Sequence, residues 1–195
     1  MLTKEYLIER LKEFGIEDSY ENVYAKLKVS FGKALSSYDF SDADKNASEI
    51  FKEKRVPLLF ANCEPYKEAE KLLSAVVENG GKNYIYTHSR NLVWDLLEKW
   101  GLKKYFAGGV TADMNFPLKP APDAALDMLS ELGVTAEETA YIGDSDVDVL
   151  TAKAFSPALS ITVLWGFRDK SELIAVGADT FAENADDILK LITES

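Results

Sequence analysis

The stretch that decides the fold is Tyr141-Ile142-Gly143-Asp144-Ser145-Asp146-Val147-Asp148. An apolar run ends at Gly143 with a carboxylate directly behind it, and a further carboxylate, Asp148, stands where a helix begins. A strand that hands over to a helix in this way gathers negative charge at the C-terminal edge of a sheet. Such charges repel one another unless a cation compensates them, and the natural compensator is a hard divalent ion with oxygen ligands. The helix macrodipole alone accounts for acids such as Asp146 and Asp148 in a first turn. It does not account for Asp144 on the strand end. The stretch therefore predicts a Mg²⁺ site for handling phosphate.

Working outward, strands alternate with helices. Tyr84-Ile85-Tyr86 reads as a strand, and Leu159 to Leu164 as the clearest one, rich in β-branched residues. Weaker strands are predicted at Phe106–Thr111 and near Thr180-Phe181. Helices are predicted from Pro65 through the stripe Ala69, Leu72, Leu73, Val76 and Val77, from a Ser89 cap through Leu97, and from Pro122 to Gly133. Others are predicted from Val147 to Phe155, from Lys170 to Val176 and from Ala185 to Ile192. This alternation predicts an α/β fold with a parallel sheet covered by helices, and ligands in such sheets bind beyond the C-terminal strand ends. Thr87 and Asp144 both fall at such ends. The first fifty-odd residues read differently. Leu7, Leu11 and Phe14 share one helical face, which Gly15 stops, Asp18 with Glu21 has capping-box spacing, and Ser41 can cap a third helix. The expected division is a helical unit over 1–56 and an α/β core over 57–195.

Composition narrows the function. The 195 residues carry a net charge of −11 with 47% apolar residues, which suits a globular domain and argues against nucleic acid and anionic membrane as partners. Phosphate substrates are still admitted, because local positive groups outweigh a distant net charge. The single cysteine, Cys63, forms no intramolecular disulfide. Without a long apolar run or a signal-like start, the expected location is the cytoplasm.

Two further residues stand out. Thr87, followed by His88-Ser89-Arg90-Asn91, puts a hydroxyl and N–H groups where a phosphate could rest, although a Thr or Ser there also serves as a plain helix cap. Lys119 lies in Pro117-Leu118-Lys119-Pro120-Ala121-Pro122, where prolines keep it out of a helix; it is a candidate to neutralise a phosphoryl group, or else a solvated charge. His88, the only histidine, is a candidate substrate contact.

Thr87, Lys119 and Gly143-Asp144-Ser145-Asp146-Val147-Asp148, in that order, resemble the motifs of the haloacid dehalogenase-like hydrolases. Leu118-Lys119-Pro120-Ala121-Pro122, Trp165-Gly166-Phe167-Arg168 and Gly177-Ala178-Asp179 resemble the phosphoglycolate phosphatase-like branch. The resemblance implies a Rossmann-like core with a small α-helical cap and hydrolysis of a small phosphorylated metabolite, phosphoglycolate or a sugar phosphate. By the same resemblance Thr87 holds a phosphoryl oxygen, Lys119 pairs with the nucleophile and the phosphate, Asp144 ligates Mg²⁺, and Asp148 supports the ion directly or through water.

The family also opens with an apolar strand ending in Asp-x-Asp-x-Thr, whose first Asp is the nucleophile, and this motif is not found here. Asp42-Ala43-Asp44-Lys45-Asn46 copies its spacing without a preceding strand. The resemblance places that strand centrally, between the strands ending at Thr87 and Asp144, so the sheet is expected to face an open slot. Candidate fillers are Pro57-Leu58-Leu59-Phe60-Ala61 (by the family pattern a loop leading into the core), a strand of a second copy, and an upstream segment. A homo-oligomer is one expected consequence. The alternative function is a non-catalytic protein that binds phosphate and Mg²⁺ without turnover.

Overall fold

Among the described residues helices alone build the first of two units, Met1–Glu64, and strands enter only in the second, Pro65–Ser195. The computed structural model describes residues 2–29, 31–40, 57, 60–166 and 168–194. In the first unit the helices are α1 (Leu2–Glu13), α2 (Tyr20–Val29) and α3 (Phe31–Ser36). The apolar face of α1 is buried as its spacing predicts: Leu7 and Leu11 join Tyr6, Val23, Ala34 and Leu35, with Phe14 packed against them. Gly15, at φ 72°, takes the left-handed turn that ends α1.

The cap of α2 is Ser19, not Asp18. Ser19 Oγ accepts from Asn22 N at 3.1 Å, while the Asp18 carboxylate accepts from Lys26 Nζ and Tyr38 OH, both at 2.8 Å. The Lys26 ammonium beside Asp18 holds its carboxyl well below the usual carboxylate range. Charge-assisted tertiary bonds outweigh a local cap here. The helix expected from Ser41, and Asp42-Ala43-Asp44-Lys45-Asn46, lie outside the described residues. Pro57 and residues 60–62 are helical, which corrects the strand and the loop expected there; residues 58 and 59 lie outside the described residues. A short apolar run does not separate strand from helix.

The second unit runs α4 (Ala69–Glu78), β1 (Asn83–Tyr86), α5 (Leu92–Lys99), β2 (Phe106–Val110), α6 (Asp123–Leu132) and β3 (Ala140–Gly143), followed by α7 (Asp146–Phe155), β4 (Leu159–Val163), α8 (Lys170–Ala175), β5 (Phe181–Ala182) and α9 (Ala185–Thr193). Pro65 does not open α4; the chain first turns at Glu68, whose φ is 69°. Nor does Ser89 cap α5, which begins after Asn91. Ser156 ends α7 in the left-handed region at φ 53°.

Among the described residues all strand pairs are parallel, and they form two sheets. β1 pairs with β2, and β3 with β4 and β5. The break falls between the strands ending at Thr87 and Asp144, where the sequence predicts the slot. A cavity of about 670 Å³ lies there, lined by Tyr84 and Tyr86 of β1, by Tyr141 and Ile142 of β3, and by residues of α4 and α6. The halves still touch: the rings of Tyr86 and Tyr141 meet edge to face at 6.4 Å, and Lys71 of α4 pairs with Asp186 of α9. Ile161, Val163, Ala182 and Ile188 form the core under β4 and β5. Among the described residues no helix is long and apolar enough to cross a membrane.

Candidate active site

The site is organised around Asp148, which lies in the first turn of α7 and is only 6% exposed. Its Oδ1 accepts from Lys119 Nζ at 2.6 Å and from Tyr141 OH at 3.0 Å. Its Oδ2 accepts from the backbone N–H groups of Asp144 (3.3 Å) and Ser145 (3.2 Å), and from the Ser145 hydroxyl. Burial pushes the Asp148 carboxyl up, but the Lys119 ammonium and these donors outweigh it and hold the acid below its usual range. Burial drives the Tyr141 phenol well above its ordinary value, with the adjacent Asp148 charge adding to the rise, so it stays protonated and donates.

This approach needs Gly143. A Cβ there would stand 2.2 Å from Asp148 Cβ. Gly166 is required in the same way, because a Cβ on it would meet Asp144 Cβ and Oδ2 at 2.4 Å. The Asp144 carboxylate thus lies against the Gly166 backbone at the end of β3. Its charge also raises the Tyr66 phenol, after burial, and Tyr66 OH donates to Trp165 O at 3.2 Å. Asp146 turns elsewhere: Arg168 grips its Oδ1 through Nε at 3.0 Å and Nη2 at 2.7 Å.

Lys119 joins the two half-sheets. Besides Asp148, behind β3, it donates to Tyr86 O at the end of β1, at 3.2 Å. Thr87 follows directly. Its backbone N–H donates to Val110 O, and its Oγ1 accepts from Ser89 N at 3.0 Å. Ser89 therefore supports the Thr87 hydroxyl, and Asn91 N is taken by Asp113 Oδ2 at 2.7 Å. His88 lies in the same field: burial first, then the Lys119 charge, push its imidazole below its ordinary value, while Asp148 opposes them. His88 is the only histidine, so one proton NMR signal reports it. Its midpoint is expected below the usual 6.5. The unfolded chain then binds the proton more readily, so His88 opposes folding as pH falls below about 6.5. A midpoint at or above that value would place His88 outside the influence of Lys119.

The sequence reading gave no role to Tyr86, or to Tyr141, Gly143 and Ser145 within the stretch it singled out. Tyr86 and Tyr141 read only as strand residues, and nothing local marks a tyrosine whose hydroxyl serves a carboxylate seven positions away. The 2.2 Å clearance at Gly143 is likewise a tertiary fact.

The donor set fits Mg²⁺ in a limited way. Among the described residues no cluster of three or more His, Cys, Asp or Glu could hold a metal. Protein donors engage both Asp148 oxygens, and Arg168 engages Asp146. Mg²⁺ keeps several waters and uses one or two carboxylates plus substrate phosphate. Asp144 fits such a site as a direct oxygen donor. Asp148 fits it through the Asp144 and Ser145 backbone that it anchors.

Sequence and structure comparisons agree with this architecture. The family model described as haloacid dehalogenase-like hydrolase matches residues 25–157, and the chain belongs to that family. Among curated relatives, a Dickeya dadantii protein described as "Probable phosphatase IndB" is 41% identical over 92 residues, which are 45% of this chain and 40% of that one. A phosphoglycolate phosphatase of Neisseria gonorrhoeae is 32% identical over 110 residues, covering 56% and 46%. The chain spans about half the length of the curated relatives it matches. A crystal structure from Haemophilus somnus, described as that of a predicted phosphoglycolate phosphatase, superposes with a TM-score of 0.83 at 15% identity, covering 97% of this chain and 89% of that one. That likeness shows a shared haloacid dehalogenase-like α/β fold.

Proposed function

We propose that the protein is a Mg²⁺-assisted phosphatase-type hydrolase of small phosphorylated metabolites, with phosphoglycolate or a sugar phosphate as the substrate class. The observation that carries this reading is the Lys119 ammonium fixed between Tyr86 O and Asp148, at the strand ends that also present Thr87 and Asp144. An ammonium has three donors, of which these contacts take two; the third can meet a phosphoryl oxygen. Thr87 Oγ1 accepts from Ser89 N, which leaves its own O–H to donate to another. Asp148 stays ionised and keeps Lys119 in place, and the Tyr141 hydroxyl prevents that carboxylate from turning towards substrate. When bound, Mg²⁺ supplies charge neutralisation at the phosphoryl group, and Asp144 would hold it.

The reading is tested with an aryl phosphate and Mg²⁺. Turnover is expected, and Asp144→Asn is expected to lower it about 10²-fold or more. Turnover by the variant equal to the parent's would overturn the role given to Asp144. The second reading, phosphate binding without turnover in the same assay, is the outcome that would count against the hydrolase reading.

A further inference from the structure

Thr87 lies in the turn that follows β1, and Lys119 in the loop between β2 and α6. Both segments leave the C-terminal edge of one parallel strand pair. Neither is strand or helix, and loops are the mobile part of a fold unless other groups tie them. Two sets of contacts do so here.

At its root the Lys119 loop is tied to the Thr87 turn. Thr87 N donates to Val110 O and Ala112 N to Ser89 O, both at 3.0 Å, which carries the pairing past the strand ends. Asp113 Oδ2 then accepts from Asn91 N at 2.7 Å. Thr111, only 3% exposed, donates from its Oγ1 to Asn91 Oδ1 at 3.3 Å. Arg90 Nε stands 3.6 Å from Asp113 Oδ1, but the Arg90 side chain is 82% exposed, so screening leaves that ion pair little weight. What Asp113 supplies is the bond to Asn91 N. At its far end the loop is tied to β1. Tyr86 OH donates to Ala121 O at 3.0 Å, and the Tyr86 ring lies 5.1 Å from Lys119 Nζ, within cation–π range. Tyr86 directly precedes Thr87. One tie therefore stands ahead of Lys119 and the other behind it, and both end on the segment that carries Thr87.

We propose that Asp113 and the Tyr86 hydroxyl are positioning residues: they pin the Lys119 loop to the Thr87 segment on both sides of Lys119, and so fix the spacing between ammonium and hydroxyl that one phosphoryl group must span. The proposal rests on the phosphate reading above. Each group acts through the backbone it holds, not through a contact with phosphate. The bonds of Lys119 to Tyr86 O and Asp148 keep the ammonium in place only while the loop backbone stays where it is. Small displacements of a positioned group are costly to a site of this kind.

The test measures binding of inorganic phosphate by calorimetry, together with amide hydrogen exchange, on the 195-residue chain and three variants. Asp113→Ala is expected to weaken phosphate binding about tenfold and Tyr86→Phe about threefold, each by loss of one hydrogen bond. Asp113→Asn keeps an oxygen acceptor without the charge and is expected to bind within about twofold of the parent. Exchange at the Ser89 amide, whose acceptor is Thr87 Oγ1, should quicken about fivefold in Asp113→Ala. Exchange at the Ala121 amide, bonded to Leu118 O, should quicken likewise in Tyr86→Phe. A merely structural role would lower the unfolding midpoint and leave the phosphate affinity of the folded molecules unchanged, and that outcome overturns the proposal. So does Asp113→Asn binding as weakly as Asp113→Ala, since the charge and not the bond to Asn91 would then be at work. Circular dichroism checks folding; Tyr86→Phe removes a single oxygen and decides alone if Asp113→Ala does not fold. A parent chain that binds no phosphate counts against the phosphatase reading. Exchange at Ser89 and Ala121 then decides the two ties: faster rates in the variants uphold them, and unchanged rates overturn them.

Discussion

Replacing Lys119 with methionine is expected to cost about 3–5 kcal/mol of stability, the range for removing one partner of a buried ion pair. Only 10% of the Lys119 side chain and 8% of the Asp148 side chain are exposed, so the stranded carboxylate has little access to water. That loss is a large part of the roughly 5–15 kcal/mol that holds a typical domain together. The bond to Tyr86 O disappears as well, and with it the link between the end of β1 and the start of α7. Chemical unfolding at pH 7 reads the stability, and binding of inorganic phosphate reads the site; both are expected to fall. Adding Asp148→Leu to Lys119→Met should restore part of the stability, because no buried charge remains unpaired, but none of the phosphate affinity. A loss below about 1 kcal/mol for the single variant would put the pair in the class of solvent-screened surface bridges, contrary to its burial.

Gly143→Ala is expected to be nearly as disruptive for one added methyl group. The new Cβ would lie 2.2 Å from Asp148 Cβ and 2.6 Å from its Cγ. Asp148 has no easy retreat, since its carboxylate is bonded to Lys119, to Tyr141 and to the Asp144 and Ser145 backbone. Overpacking of this kind costs about 1–3 kcal/mol, and displaced hydrogen bonds add to it. Thermal unfolding measures the effect, and a lower midpoint is expected; on the proposed hydrolase reading, turnover of an aryl phosphate with Mg²⁺ falls with it. An unchanged midpoint would mean that β3 and α7 can separate freely, and that the carboxylate is not locked.

These outcomes bear on how much of the protein was readable beforehand. Alternation of strands and helices over the second unit was legible because apolar periodicity and Gly or Pro punctuation act over short distances. The strand Leu159–Val163 is an instance, and in the first unit the Leu7–Leu11 face of α1 was legible for the same reason. Local chemistry misled where a longer-range contact was stronger. Asp18 has the spacing of a cap but spends its carboxylate on Lys26 and Tyr38. Ser89 has the residue type of a cap but supports Thr87. The run at Pro57–Ala61 could be strand or helix by composition, and residues 57 and 60–62 are helical.

The sequence by itself determined the α/β class, the order Thr87, Lys119, Asp144, Asp148 and the family they point to, because each is carried by residue type and spacing along the chain. Only the tertiary structure decided what these groups do to one another. It made Asp148 the anchor of Lys119 and of the β3–α7 turn, gave Tyr141 its place on that carboxylate, and divided the sheet around an apolar cavity. The physical reason is range: strand and helix formation is governed by neighbours a few residues apart, whereas a carboxylate's partners are chosen by burial and by whatever donors the fold brings within about 3 Å of it.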